Sequence, residues 1–241
     1  MQKGILTTLV VLTGIAAHGQ QPTAEQIYDR MRKAYATAQT YQDAGTVTTW
    51  YTEKGDKEPN HTSTLSFETA FVRPANRFKF RYEQSKSVMF TNRKTCYLVV
   101  SDGKNTRMLK SQHKDRASTH EPSLGAALTA ISEGSGTAAR KIPGMLLNEP
   151  IKASWDPKKL QSVKLIGTAT QDGKPCYQLE ALVWGKKKAQ LWVDQQTYLI
   201  RRIDEDYQSP SVSTRTSITY QPVINKSVKD DALAFKEEYC D

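Results

Sequence analysis

Histidine and cysteine are scarce in this chain, with four and three residues among 241. Outside the N-terminal stretch only His61, His113 and His120 remain. None stands in a His-Glu-x-x-His or comparable spacing, which removes the common zinc-hydrolase arrangements. No Gly-x-Ser-x-Gly elbow is present, and Gly134-Ser135-Gly136 lacks the strand that must precede a nucleophile turn. A glycine-rich phosphate loop is missing as well. His113, Asp115, His120 and Glu121 fall together in an irregular stretch and are either a metal site or, as read here, a solvated loop. Beyond residue 17 no apolar run approaches the ~20 residues that span a bilayer. Neither an internal repeat nor a low-complexity segment occurs. The chain is therefore read as a non-enzyme, with no catalytic residue, no metal and no cofactor assigned.

What is present begins with an export signal. Lys3 precedes an apolar or weakly polar run from Ile5 to Ala17, and Ala17-His18-Gly19 puts small residues where signal peptidase cuts. Cleavage is expected close to Gly19. The alternative, a membrane anchor, needs a longer run than one that stops at Gln20, Gln21 and Pro22. No cysteine lies near the cut, which excludes lipid attachment there. The expected organisation is a signal peptide over residues 1–19 and a single domain over 20–241, released into the periplasm.

The formal charge is +9, and loss of Lys3 takes 34 basic residues to 33 against 25 acidic ones, or +8. A basic surface attracts nucleic acid, anionic lipid head groups or an acidic protein. Export removes nucleic acid from that set, leaving an envelope protein partner or peripheral contact with a membrane. Lys186-Lys187-Lys188 is either a solvated hairpin tip or an anionic head-group site. Asn60-His61-Thr62 and Asn225-Lys226-Ser227 match the glycosylation pattern, by accident in a bacterial-type exported protein.

Cys96, Cys176 and Cys240 allow three pairings, each leaving one thiol over. Alternation puts Tyr177, Leu179, Ala181 and Val183 on one strand face and Cys176 on the other with Gln178 and Glu180. A C-terminal tail can reach that outer face, so Cys176 with Cys240 is the favoured pairing, against the alternative of three free thiols.

Thr23-Ala24-Glu25-Gln26 has the capping-box form, and Ile27, Met31, Ala34, Tyr35 and Ala38 recur at helical spacing, which predicts one amphipathic helix over about residues 24–39. From Ala44 the period becomes two. Val47, Thr49 and Tyr51 oppose Thr46, Thr48 and Trp50, and Leu65, Phe67, Thr69 and Phe71 share the next face. In Phe71-Val72-Arg73-Pro74-Ala75-Asn76-Arg77-Phe78-Lys79-Phe80-Arg81-Tyr82 an aromatic face alternates with a cationic one. Further strands are expected at about 76–84, 86–91, 95–101, 106–110, 162–170, 175–184, 189–194, 197–206 and 212–221, with Asp102-Gly103 and Asp172-Gly173 as hairpin signals.

Periodicity stops after Ser111 for some forty residues. Ser123 caps a short helix bearing Leu124, Ala127, Leu128 and Ile131, Gly134-Ser135-Gly136 ends it, and Ile142-Pro143-Gly144-Met145-Leu146-Leu147 is apolar but broken. The segment 112–150 reads as an insertion serving as a lid. A sheet with a continuous aromatic face must bury it, and one helix of sixteen residues is too narrow. The fold class expected is α+β, a curved antiparallel sheet forming an incomplete β-barrel with the N-terminal helix and a helical lid over its concave face. The 38% hydrophobic fraction suits such a thin wall better than a thick core.

The helix, the strand entered through Arg73-Pro74-Ala75-Asn76-Arg77-Phe78 and the hairpin Ser101-Asp102-Gly103-Lys104 together resemble the periplasmic lipoprotein carriers of the LolA/LolB-like superfamily. Gly173-Lys174-Pro175-Cys176-Tyr177-Gln178-Leu179, followed by Leu191-Trp192-Val193-Asp194 and Tyr198-Leu199-Ile200-Arg201-Arg202-Ile203-Asp204, is similar to the DUF2092-type predicted periplasmic proteins. That resemblance implies an incomplete barrel with an apolar cavity for acyl chains and no catalytic residue. The expected function is a carrier or sensor of a lipid or lipidated (acylated) protein cargo, and the alternative is a protein-interaction or regulatory module of the envelope on the same fold. Candidate cavity residues are Leu65, Phe67, Phe71, Phe78, Phe80, Tyr82, Tyr97, Val99, Leu124, Leu128, Ile131, Met145, Leu146, Leu191 and Val193; Phe67, Phe71, Phe78, Phe80 and Tyr82 taken singly read as core, and as a set on adjacent strands they read as cavity lining. Arg201 and Arg202 are neighbours and point to opposite faces. Either Arg202 meets a cargo head group or both serve structural ion pairs.

Overall fold

The computed structural model of the protein describes residues 21–84, 95–112, 115–132, 134–147, 151, 159–183, 185 and 187–240. The signal peptide expected at 1–19, the strand expected at 86–91, and His113 and Lys186 lie outside them.

Helix α1 (Ala24–Thr37) starts where the capping box predicts: the Thr23 hydroxyl accepts the Gln26 N–H at 3.3 Å and the Gln26 side chain accepts the Thr23 N–H at 3.0 Å. Its stripe of Ile27, Met31 and Tyr35 is buried. Arg73 closes the other end, donating from Nε to the Ala38 carbonyl at 2.8 Å and from its second nitrogen to that of Tyr35 at 3.0 Å. A cation on the last carbonyls complements the helix dipole, which gives the Arg-Pro motif a structural role.

Among the described residues twelve strands follow: β1 (Thr40–Glu53), β2 (His61–Val72), β3 (Arg77–Gln84), β4 (Thr95–Ser101), β5 (Thr106–Gln112), β6 (Asp115–Glu121), β7 (Gln161–Gln171), β8 (Lys174–Val183), β9 (Lys187–Asp194), β10 (Ile200–Gln208), β11 (Val212–Tyr220) and β12 (Val223–Ile224). They form one antiparallel sheet in the order β6-β5-β4-β3-β2-β1-β11-β10-β9-β8-β7, with the short β12 beside the start of β1. The two hairpin runs join where β1 pairs β11, from Gly45 with Tyr220 to Glu53 with Val212. β6 and β7 are left as edges, so the curved sheet is not closed. Helices α2 (Leu124–Ala130) and α3 (Ala138–Leu146) pack with α1 and the inner sheet face into one apolar cluster. On the outer face a smaller cluster of Cys96, Leu98, Val100, Leu109 and Cys240 is covered by two C-terminal 3-10 turns, Asp230–Leu233 and Glu237–Cys240, with Phe235 and Tyr239.

Three expectations change. The disulfide joins Cys96 to Cys240, and Cys176 is a buried free thiol, so the Cys176–Cys240 pairing is wrong. Both cysteines occupy outer-face positions, but Cys176 sits on β8, next to the far edge, while the tail lies over β3 and β4. The segment after Ser111 is not free of strands: β6 pairs β5 from Thr106 with Glu121 to Gln112 with Asp115. Asp115 to His120 are all exposed, so this edge strand buries no face and carries no alternation to read. Pro143 does not break the chain either. It lies inside α3, where Ala139, Ile142 and Leu146 are wholly buried, and that packing outweighs the one backbone hydrogen bond the proline removes.

Candidate functional site

The inner face is built by strand alternation. Leu65, Phe67 and Phe71 of β2, Phe78, Phe80 and Tyr82 of β3, Val99 of β4, and Leu191 and Val193 of β9 all point to it, and each is at most 6% exposed. Leu124 and Leu128 of α2, Ile131 just after it, and Met145 and Leu146 of α3 come down onto the same cluster. Tyr97 is half-buried at its margin and stacks on Tyr82 with ring centroids 5.0 Å apart. Phe67 and Phe80 stack at 6.0 Å, and Phe71 tilts against Phe78 at 6.3 Å. The structure thus brings all fifteen candidate residues into one continuous contact set. Phe78, Phe80, Leu128 and Leu146 have no accessible surface, so neighbouring protein atoms fill the space around them.

Two glycines let the connection between α2 and α3 press onto this face. A Cβ on Gly134 would stand 2.3 Å from the Tyr82 hydroxyl oxygen. One on Gly136 would stand 2.7 Å from Val47 Cγ1, and Gly136 also holds φ at 56°, in the left-handed region. Ser135, wholly buried between them, accepts the Ala139 N–H at 3.2 Å and starts α3.

Arg202 lies on the outer face. Its guanidinium donates to both Asp204 carboxylate oxygens, at 2.7 and 2.6 Å, and stands 4.6 Å from the Trp192 ring centroid. Arg201 pairs with Asp194 at 3.1 Å. Both arginines are therefore in ion pairs. His120 and Glu121 are on β6, and among the described residues no group of three or more His, Cys, Asp or Glu side chains is placed to hold a metal.

Sequence reading missed a polar cluster inside the apolar face. Asp43 of β1 is buried and accepts the Tyr41 hydroxyl at 2.6 Å, Thr69 opposite it on β2 also hydrogen-bonds its carboxylate, and the buried Tyr220 hydroxyl has no hydrogen-bond partner among the described residues. Tyr35 reaches the same region from α1, its hydroxyl accepting the Ile200 N–H at 2.9 Å. Burial pushes the Asp43 carboxyl up to about 6, and hydrogen bonds with Tyr41 and Thr69 offset this only in part. Burial likewise raises Tyr41 and Tyr220 well above the ordinary phenol range. Extending the alternation of β1 backward from Val47 would have placed Tyr41 and Asp43 inward. Lys141 of α3 is also wholly buried, its ammonium 2.5 Å from Glu205 of β10.

No curated protein matches the sequence. Among solved structures, a DUF1329 family protein from Desulfovibrio piger shares 16% identity at a TM-score of 0.37, over 92% of this chain and all of that one. The MucA/MucB complex of Pseudomonas aeruginosa matches at 15% and 0.45, over 89% of this chain and 62% of that one. Lipoprotein LppX of Mycobacterium tuberculosis matches at 11% and 0.43, over 84% and 97%. These likenesses are too distant to carry a ligand or partner across. No helix among the described residues is long and apolar enough to cross a membrane. The sequence matches the family described as "Predicted periplasmic protein (DUF2092)" over residues 24–237, and the protein belongs to that periplasmic family.

Proposed function

We propose that the protein is a non-catalytic periplasmic binding protein that takes the acyl part of a lipid or lipidated protein between the sheet and the α2–α3 segment, which serves as its lid. The observation that carries this reading is the cover of the inner face: an unclosed sheet of aromatic and aliphatic side chains lies under two short helices joined by Gly134, Ser135 and Gly136. The cover sets long buried side chains, Leu124, Leu128, Ile131, Ile142, Met145 and Leu146, beside small ones at Ala127, Ala138 and Ala139. Helices of seven and nine residues are held mainly by that packing rather than by their own backbone bonds, so two such pieces part from the sheet more readily than one long helix would. An acyl chain replaces the lost contacts with equivalent apolar ones.

The filled inner face favours a second reading, an envelope protein-interaction module whose concavity holds only its own side chains. Native mass spectrometry of protein purified from its own envelope, followed by displacement with a fluorescent fatty acid, separates the two. Co-purified lipid and saturable probe uptake, abolished by Phe78→Asp with Phe80→Asp in a variant that keeps its circular dichroism, supports the carrier. Empty protein that takes up no acyl probe overturns it and leaves the interaction module.

A further inference from the structure

The polar cluster on β1 interrupts an otherwise apolar face, and the strand register fixes its layout. Across the sheet Phe67, Gly45 and Tyr220 form one row, and Thr69 and Asp43 lie in the next. Asp43 and Gly45 are two positions apart on one face, so Tyr220 is a diagonal neighbour of Asp43. A Cβ on Gly45 would stand 2.4 Å from Phe67 Cζ and 2.2 Å from the Thr219 carbonyl oxygen. The missing side chain lets the Phe67 ring lie across β1 and meet Tyr220 edge-on, with centroids 5.4 Å apart. On the other side of Gly45 the row is Leu65, Val47 and Ile218, and there Gly136 of the cover presses on Val47.

Hydrogen bonding in this cluster is complete but for one group. Tyr41 donates to Asp43, Thr69 bonds the same carboxylate, and Tyr35 accepts the Ile200 N–H. Tyr220 is 1% exposed, and its hydroxyl has no partner among the described residues. A buried hydroxyl left unbonded carries its full desolvation cost, which a bound oxygen atom removes. Asp43 is the charged group that acts most strongly on that hydroxyl. A carboxylate has about four acceptor positions, so Asp43 can take one more proton beside those of Tyr41 and Thr69. Arg201, which acts on Tyr35 in the same region, is held by Asp194 at 3.1 Å and is committed there rather than to a ligand.

We propose that Tyr220 and Asp43 together bind the hydroxyl of a neutral, hydroxyl-bearing lipid, Tyr220 donating to its oxygen and Asp43 accepting its proton. An alcohol oxygen both accepts and donates, which matches the pair. A fatty-acid carboxylate has no proton to give and sets a second negative charge beside Asp43, where burial already opposes one. The hydroxyl lies two to four residues along β1 from Val47, and the chain runs back from it toward Gly136 beneath the cover. The Phe67 ring, lying over Gly45, is the apolar wall beside it. This names the cargo class for the acyl-binding role proposed above and rests on that role.

The test displaces a pyrene-labelled long-chain alcohol from the mature chain at pH 7.5 with 1-dodecanol or dodecanoate, in the wild type, Tyr220→Phe and Asp43→Asn. Wild-type protein should bind dodecanol about tenfold more tightly than dodecanoate. Tyr220→Phe, which keeps the ring, should weaken dodecanol about tenfold, as for loss of one hydrogen bond, and leave dodecanoate within about twofold. Asp43→Asn, which removes the charge and keeps an acceptor, should narrow the gap between the two ligands. In the wild type the 13C resonance of Tyr220 Cζ should shift with dodecanol and hold still with dodecanoate, a readout that needs no variant to fold. Equal wild-type affinities, a Tyr220 resonance indifferent to dodecanol, or an equal loss for both ligands in Tyr220→Phe overturns the site, the last marking a purely structural tyrosine. Unchanged dodecanol affinity in the folded phenylalanine variant means that the hydroxyl bonds only to water, and overturns it too. In each of these cases the bound probe leaves the acyl-binding role standing, whereas refusal of the probe and both competitors removes that role and the site with it.

Discussion

The Tyr41 hydroxyl donates to Asp43 at 2.6 Å on the inner face of β1, two residues away on the same strand, where burial outweighs the hydrogen bonds that favour the carboxylate. The Asp43 carboxyl is pushed up to about 6 from 3.8, so the folded state holds its proton more tightly than the unfolded chain does. Stability from this group is therefore fully present below about pH 4 and is lost as pH rises toward 6, by on the order of 2–3 kcal/mol. Asp43→Asn removes the titration. Urea unfolding at pH 4.5, 6.0 and 7.5 should show the asparagine variant gaining on the wild type as pH rises. A pH-independent difference between the two would mean that Asp43 titrates normally.

Gly136 meets Val47 where the α2–α3 connection touches the sheet. Gly136→Ala adds both a Cβ 2.7 Å from Val47 Cγ1 and a side chain at a φ of 56°. Gly173→Ala has only the backbone penalty, since its φ is 73° and nothing lies within 4 Å of the added Cβ. The first change should cost about 1–3 kcal/mol more than the second, as overpacking does. It should also speed amide exchange across 124–147 while sparing 175–206. Equal costs in thermal unfolding would show that the contact yields freely.

Cys240→Ser opens a crosslink spanning 144 residues. Loop-closure entropy sets an upper range of about 4–5 kcal/mol, and removal of native disulfides commonly costs about 2–5 kcal/mol. The variant should lose stability within that range and gain protease sensitivity around 228–240, since the tail would keep only contacts such as Arg107 over Phe235 at 3.8 Å and the bond from Arg81 Nε to the Tyr239 carbonyl at 2.6 Å. Unchanged stability and proteolysis would mean that those contacts alone hold the tail.

Much of the fold was legible because its signals are local. Thr23 and Ser123 start helices where their hydroxyls reach free N–H groups three residues on. Alternation marked Phe67, Phe78, Phe80 and Leu191 as one-sided before any partner strand was known. Legibility ended where alternation did, at β6, whose exposed residues leave no apolar face to detect. It ended too at Pro143, whose helix is held by burial that no local rule registers.

By itself the sequence determined α1, the start of α2 and the alternating strands, which of their apolar side chains point inward, and that the apolar face of a thin sheet needs a cover. Those properties follow from backbone periodicity and from the cost of leaving aromatic surface in water. Only the tertiary structure decided which distant segments meet. It joined Cys96 to Cys240 and left Cys176 alone. It brought Tyr35 of α1 to Tyr41 and Asp43 of β1, and set the buried Lys141 of α3 against Glu205 of β10. Strand order and curvature are properties of the whole sheet, so contacts between residues a hundred positions apart exist only once it has formed.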